Sequence, residues 1–306
     1  MIKNHRQQII TYLRNGQIVY LIFFLLLNGF DTESLQLARI GAQNKLKKRL
    51  KRKYSYVLDR VIDKPKALID INESPIWFCW LQGLDSFPAI VRLCYNSLKK
   101  KTKRPIILIT EENYKSYTDF PEYIIEKYNK GIISKTHFSD LLRIELLGRN
   151  GGTWIDSTVL LTDNIPSEIE NCELSFFQKC KPGRDGNGIY TSSWFLNANS
   201  GNPIILLTRE LLFEYWKRNN FLTDYFLFHI FFCIACDSRF EDYLNVPKQE
   251  SSSPHLLLLS YSRKYKKDEF DYNISSSWIH KLSYKVDNDV VADKNNVYNY
   301  LLNTSI

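Results

Sequence analysis

Ser139-Asp-Leu-Leu-Arg-Ile-Glu-Leu-Leu-Gly-Arg-Asn-Gly-Gly-Thr-Trp-Ile-Asp-Ser-Thr-Val-Leu-Leu161 is the stretch that decides the fold. Ser139 or Asp140 is predicted to cap a helix reaching about Leu147. Asp140, Arg143 and Leu147 are spaced at three and four, so they share a helix face. Asn150-Gly151-Gly152 breaks the helix and turns the chain. Trp154-Ile155 reads as a very short strand, and Asp156 follows at the strand end, where a side chain is presented to a cleft.

Working outward, Pro75-Ile-Trp-Phe-Cys-Trp-Leu-Gln-Gly83 is an apolar, aromatic run closed by Gln82-Gly83, the pattern of a buried strand with a loop behind it. Phe87–Lys99 has helical spacing at Ile90, Val91, Cys94 and Leu98. Pro105–Thr110 reads as a second strand, and Tyr123–Tyr128 starts another helix. This strand–helix alternation with continuous apolar strands predicts an α/β protein with a largely parallel sheet covered on both faces. Ligands bind at the carboxyl ends of such strands, so the loop after Trp80-Leu81 is the first place to look for one.

The residue types suit transfer from a donor that leaves as a diphosphate. A divalent cation or a fixed positive charge must stabilise that leaving group. A carboxylate at a strand end can hold the cation or a ribose. An Asp and an Arg one turn apart can bind sugar hydroxyls, and Arg suits bidentate contacts to anions. Each piece also has a plain reading: Asp140 as a helix cap, Arg143 as a partner of Glu145, Gly151-Gly152 as an ordinary turn. The combination is more specific than its parts.

IWFCWLQG, SDLLRIELL and GGTWIDSTV together resemble the bacterial capsular polysaccharide synthesis glycosyltransferases, relatives of the DxD-motif sugar-transferases that share a core with the glycosylating clostridial toxins. The likeness is good over about Pro75–Pro166 and looser over the N-terminal helices. It implies a GT-A-like nucleotide-sugar-binding domain, a nucleotide-sugar donor with a UDP-sugar favoured, and a divalent cation, Mn or Mg. By position, Trp80 resembles the aromatic residue that stacks on the donor base, with Trp77, Gln82, Gly151 and Gly152 nearby in the donor-binding motifs. Asp140 and Arg143 resemble the pair that grips the donor sugar, and Asp156 the first acid of the DxD motif. Those three are the catalytic candidates. The second acid is missing: Thr158 stands there, a poor substitute for a carboxylate on a hard cation, so of a cation held by Asp156 and the donor phosphates with help from the C-terminal region, a weak metal dependence and a degenerate site, the first is expected. No residue declares itself a general base or nucleophile.

In the second half, Phe176–Cys180 reads as a strand and 181–188 as a flexible loop. Gly201-Asn-Pro203 opens a long helix, and Thr223–Ala235 reads as another, with Asp224 and His229 as its polar positions. His229 is expected to be a satisfied core histidine more often than a cleft residue. Ser275-Ser-Ser-Trp-Ile-His-Lys281 is similar to the C-terminal segment that closes over the donor in related transferases. It offers Ser276, Trp278, His280 and Lys281, with Lys281 toward the diphosphate and Asp156, Thr158 and His280 as metal candidates.

The N-terminal part has its own character. Ile18–Leu27 is an unbroken apolar run of ten, too short for a spanning helix, which needs about 20 residues, and no small-residue cleavage pattern follows it. Asp31–Lys53 is predicted to be a helix with Leu35, Leu37, Ile40, Leu46 and Leu50 on its apolar face. Seven basic residues crowd Lys45–Lys53; removing them from the total of 41 leaves 34 basic against 33 acidic residues. The body is therefore near neutral, which excludes a dedicated nucleic-acid groove. An apolar helix beside a polybasic segment supplies the two weak signals that stable peripheral membrane binding takes. A solvated helical hairpin is the competing reading. We expect residues 1–70 to form a helical appendage, open to both readings, and 71–306 the transferase domain.

Six cysteines in 306 residues do not form a disulfide framework, and Cys233-x-x-Cys236 lacks a second pair at zinc spacing. The expected setting is cytoplasmic, at the inner face of the plasma membrane. The expected activity is sugar transfer to a capsular polysaccharide precursor, saccharide or lipid-linked. A sugar-phosphate transferase and a non-catalytic partner in capsule assembly are the rivals.

Overall fold

The computed structural model describes residues 10–60, 74–180 and 186–304. The polar linker before Ser74 and most of the loop after Cys180 lie outside the described residues.

Six strands form one sheet in the order β2-β1-β3-β6-β5-β7: Ile106–Ile109 (β2), Ile76–Cys79 (β1), Gly152–Ile155 (β3), Thr191–Ala198 (β6), Leu174–Gln178 (β5) and Gln249–Glu250 (β7). β2, β1 and β3 are parallel, with Ile76 opposite both Ile106 and Thr153, while β6 runs antiparallel to β3 and to β5. This is the expected α/β class with an N-terminal helical segment. The sheet is more mixed than anticipated, because β6 enters beside β3 in the opposite direction. A second, two-stranded sheet pairs Val159–Leu161 (β4) with Ile279–Lys281 (β8), setting Lys281 opposite Val159.

Alternation along the strands sorts the core. Trp77, Cys79 and Trp154 face one hydrophobic cluster, shared with the helices Lys135–Asn150, Pro203–Arg218 and Leu227–Ser238. Ile76, Phe78 and Ile155 face the other. Successive side chains of a strand point to opposite faces, so the continuous apolar sequence is that of strands buried on both sides.

The Lys135–Asn150 helix starts a turn earlier than expected. Ser134 is its cap, its hydroxyl accepting from the His137 backbone N–H at 3.2 Å. Ser139 and Asp140 therefore lie inside the helix, and the Asp140 carboxylate is free of capping duty. At the far end Gly151 (φ +68°) donates its N–H to the Leu147 carbonyl. Gly152 adopts φ +101°, and a Cβ there would lie 2.4 Å from the Pro75 carbonyl oxygen. These glycines allow the helix to end and β3 to run tightly against β1.

The Thr32–Lys53 helix, capped by Asp31, buries Ser34, Ala38, Ala42, Leu46 and Leu50. That stripe has a spacing of four. Leu35 and Leu37, expected on the inner face, are exposed. Leu46, Leu50, Tyr54 and Val57 join the same cluster as Trp77 and Trp154. Lys47 fixes the helix further, donating to the Gly188 carbonyl at 2.9 Å and pairing with Asp237 at 2.9 Å. The basic run therefore has a structural member among its solvated ones.

Candidate active site

A cleft of about 340 Å³ opens at the carboxyl ends of β1 and β3. Its floor is the charge row Asp140–Arg143–Asp156. One Arg143 guanidinium nitrogen donates to Asp140 Oδ1, and Nη2 donates to Asp156 Oδ1 at 2.8 Å. The Arg143 side chain is only 4% exposed. Its guanidinium also packs 4.8 Å from the Trp154 ring and 5.3 Å from that of Phe228. A planar fork can hold two carboxylates at once, which an ammonium cannot do with the same geometry.

Asp156 is held from three sides. Trp154 Nε1–H donates to Oδ1 at 2.8 Å and Lys281 Nζ to Oδ2 at 3.2 Å, beside the Arg143 bond. Burial raises its carboxyl, but Lys281 and Arg143 outweigh burial and hold it well below the ordinary carboxylate range. Asp140 is likewise raised by burial and carried below its usual value by Arg143 and His137. Arg143, between two carboxylates, is held fully protonated despite desolvation.

His137 supports the row from behind. Its Nε2 accepts from Trp216 Nε1–H at 3.0 Å, so in the neutral ring the proton is on Nδ1, which faces Asp140 Oδ2 across 3.3 Å. Nothing in the sequence singled out His137, although its position three before Asp140 puts it on the same helix face.

The walls come from separate parts of the chain. The loop after β1 provides Trp80 and Gln82, and the start of the Lys135–Asn150 helix provides Lys135, Thr136 and Ser139. Ser193, Tyr225 and His229 close the far side, and Tyr284 and Lys285 follow β8. Trp80 and Tyr284 meet edge to face, ring centroids 5.4 Å apart, and Trp80 Nε1–H donates to Ser86 Oγ at 2.8 Å. Tyr284 and Lys285 were missed, though their place just beyond Lys281 in an aromatic–basic segment is a usable signal. His229 is in the cleft wall rather than the closed core. Burial pushes it down to about 4, so its ring is neutral at pH 7. Cys79 also lines the cleft, but burial pushes its thiol up to about 12, which removes it as a nucleophile.

Several expected site residues lie elsewhere. Trp77 is 2% exposed and donates Nε1–H to the Gly151 carbonyl at 2.8 Å, because strand alternation turns it into the core. Gly151 and Gly152 stand at the opposite end of β3 from Asp156 and serve backbone packing. Trp278 packs edge-on against Phe195, outside the cleft lining. Ser276 donates its hydroxyl to the Asn273 carbonyl. His280 is fully buried on the face of β8 opposite Lys281, with Nε2 3.1 Å from the Ile274 carbonyl oxygen and 3.3 Å from Thr162 Oγ1. It is not placed to be a metal ligand.

The remaining metal candidates fit a divalent ion poorly. Mn²⁺ and Mg²⁺ want several oxygen ligands in near-octahedral array. Among the described residues no three His, Cys, Asp or Glu side chains gather to hold a metal. Lys281 Nζ donates both to Asp156 Oδ2 and, at 2.5 Å, to Thr158 Oγ1. The two oxygens that the motif would offer a cation already face an ammonium. The two cysteines of Cys233-x-x-Cys236 are free and buried, Cys236 in the main hydrophobic cluster and Cys233 with its Sγ 3.4 Å from Thr191 Oγ1.

No curated protein matches the chain. A solved structure described as PaToxG Glycosyltransferase is similar at 14% identity over 78% of this chain and 95% of that chain, with a TM-score of 0.37. The stretch carrying the charge row, the helical segment before it and the β8 strand that brings Lys281 all fall within residues 29–301, which match one family throughout. The chain belongs to the capsular polysaccharide synthesis protein family.

Proposed function

We propose that this protein is a glycosyltransferase that moves a sugar from a nucleotide-diphosphate donor, a UDP-sugar by preference, to a surface-polysaccharide precursor. The observation that carries the reading is the Asp140–Arg143–Asp156 row at the strand ends, in a cleft also lined by the paired aromatics Trp80 and Tyr284 and by Lys281, which bonds Asp156. In this reading Trp80 stacks on the base, with Gln82 beside it. Asp140 and Arg143 hold the sugar hydroxyls. Asp156 accepts from ribose or sugar, and Lys281 and Lys285 face the diphosphate. Fixed charges in a recessed site need little reorganisation when charge develops, which is how such sites lower barriers.

The acceptor is a saccharide or lipid-linked intermediate. The Ile18–Asn28 helix exposes Val19, Ile22, Phe23, Leu26 and Leu27, and Phe30 extends the patch. Exposed Lys45, Lys48 and Lys51–Lys53 lie along the next helix. An apolar patch next to basic residues suits an anionic membrane surface. Among the described residues no helix is long and apolar enough to cross a membrane. We read 1–70 as the membrane-facing region and 71–306 as the transferase domain at the cytoplasmic face, a division of role, since the two share core side chains.

Thermal shift against UDP, GDP, ADP and CDP tests the donor site, since a ligand that binds only the folded state raises the melting temperature. A shift with one diphosphate, lost in Asp156→Ala, supports the reading. No shift with any of them in a cooperatively melting protein overturns it in favour of a non-catalytic role. Release of a nucleoside diphosphate during turnover separates sugar transfer from sugar-phosphate transfer.

A further inference from the structure

We infer that the Lys281 ammonium is the built-in cation of this site, taking the place that a divalent metal has where the motif carries two acids. The inference rests on the donor-site reading above and deepens it.

Lys281 is placed by backbone, not by chance of a surface side chain. β8 pairs with β4 so that Lys281 lies opposite Val159, and the Leu282 N–H donates to the Thr158 carbonyl at 2.8 Å. That register delivers Nζ to the first and third residues of the Asp156-Ser157-Thr158 triplet, at 3.2 Å from Asp156 Oδ2 and 2.5 Å from Thr158 Oγ1. An ammonium has three N–H groups. Two are used, and the side chain is 20% exposed, so one N–H remains for a ligand in the cleft.

Threonine at 158 then has a purpose. A second carboxylate there would neutralise the lysine. A hydroxyl orients Nζ without cancelling its charge. Asp156 is shared as well, its Oδ1 committed to Arg143 and Trp154. The ammonium therefore keeps much of its positive field for a diphosphate, and Lys285 is a second basic residue lining the same cleft.

The chemistry balances without a metal. The acceptor hydroxyl oxygen bonds to the anomeric carbon, and the bond from that carbon to the diphosphate oxygen breaks. The electron pair stays on the diphosphate, stabilised by Lys281, and the hydroxyl proton leaves to water.

The test is calorimetric titration of UDP, GDP, ADP and CDP, and of the matching monophosphates, into full-length protein in EDTA and then in Mn²⁺. The expected result is binding of one diphosphate in EDTA, within about threefold of its affinity in Mn²⁺. Lys281→Met should weaken that diphosphate tenfold or more and the monophosphate much less, with Lys281→Arg recovering part of the loss. Circular dichroism melts confirm that the variants fold. A Thr158→Asp, Lys281→Ala double variant should gain Mn²⁺ binding, read by electron paramagnetic resonance. Diphosphate binding that appears only with Mn²⁺, or is indifferent to Lys281→Met, overturns the inference and leaves the donor site standing. Absence of any nucleotide binding under both conditions overturns the two together.

Discussion

Arg143 Nη2 lies 2.8 Å from Asp156 Oδ1, on a guanidinium that also holds Asp140 and is almost wholly removed from water. Removing one member of a buried charge set costs more than the set contributes, because the others are left uncompensated. Arg143→Ala should therefore destabilise the fold by about 3–5 kcal/mol and abolish transfer. Arg143→Lys should keep the charge, lose the fork, and sit between. Urea unfolding read alongside turnover checks both; an Arg143→Ala protein as stable as wild type would contradict the account.

His229 and His280 are both pushed down to about 4 from 6.5, chiefly by burial. A histidine held neutral in the folded state favours unfolding once the unfolded ring charges. Stability should thus be full above pH 6.5 and fall as pH drops toward 4, by roughly 1.4 kcal/mol per unit per histidine at most. Asp156 and Asp140, both depressed, contribute a separate loss only below the ordinary carboxylate range. Denaturant unfolding at pH 7, 5.5 and 4.5 should give a shallower slope for His280→Gln than for wild type.

Trp77 and Trp80, three residues apart, should part company on mutation. Trp77→Phe loses a buried hydrogen bond to Gly151 and leaves the carbonyl unpaired, costing about 1–3 kcal/mol with nucleotide affinity unchanged. Trp80→Ala should leave the melting temperature nearly intact and weaken diphosphate binding several-fold. Paired melting and titration of the two variants decides it.

Gly152→Ala places a Cβ 2.4 Å from the Pro75 carbonyl at a backbone angle that disfavours side chains. Expected is a loss of at least about 2 kcal/mol, seen as a lower melting temperature. A Gly16→Ala control, also at positive φ but with nothing within 4 Å, should cost less.

The apolar face of Ile18–Asn28 predicts sedimentation with anionic phosphatidylglycerol vesicles and weaker binding to neutral phosphatidylcholine. Phe23→Glu with Leu27→Glu should abolish both without changing unfolding, since both side chains are already exposed.

Local signals brought out much of the charge row and part of the lining of the candidate cleft. The short strand before Asp156, the i, i+3 pair of Asp140 and Arg143, and the loop at Trp80 were legible because they follow from periodicity and turn chemistry. What escaped depended on register and alternation. IWFCWL does not say which tryptophan faces the core, because a strand buried on both faces shows no polar phase. The metal reading of His280 failed for the same reason: one step along β8 separates the buried ring from the lysine in the cleft. On the Thr32–Lys53 helix the leucine spacing points to Leu35 and Leu37, while the packed stripe runs through Ala38 and Ala42 to Leu46 and Leu50.

Lys281 reaches Asp156 across 125 positions of chain. A ribosome adding about 5–20 residues per second therefore delivers the ammonium some 6–25 s after the carboxylate. During that interval the emerging chain can assemble Arg143 against its two acids, but the ammonium that bonds Asp156 Oδ2 is still untranslated. The nascent protein is in this sense born without its cation, and under the proposed function donor consumption would wait for the strand that carries it.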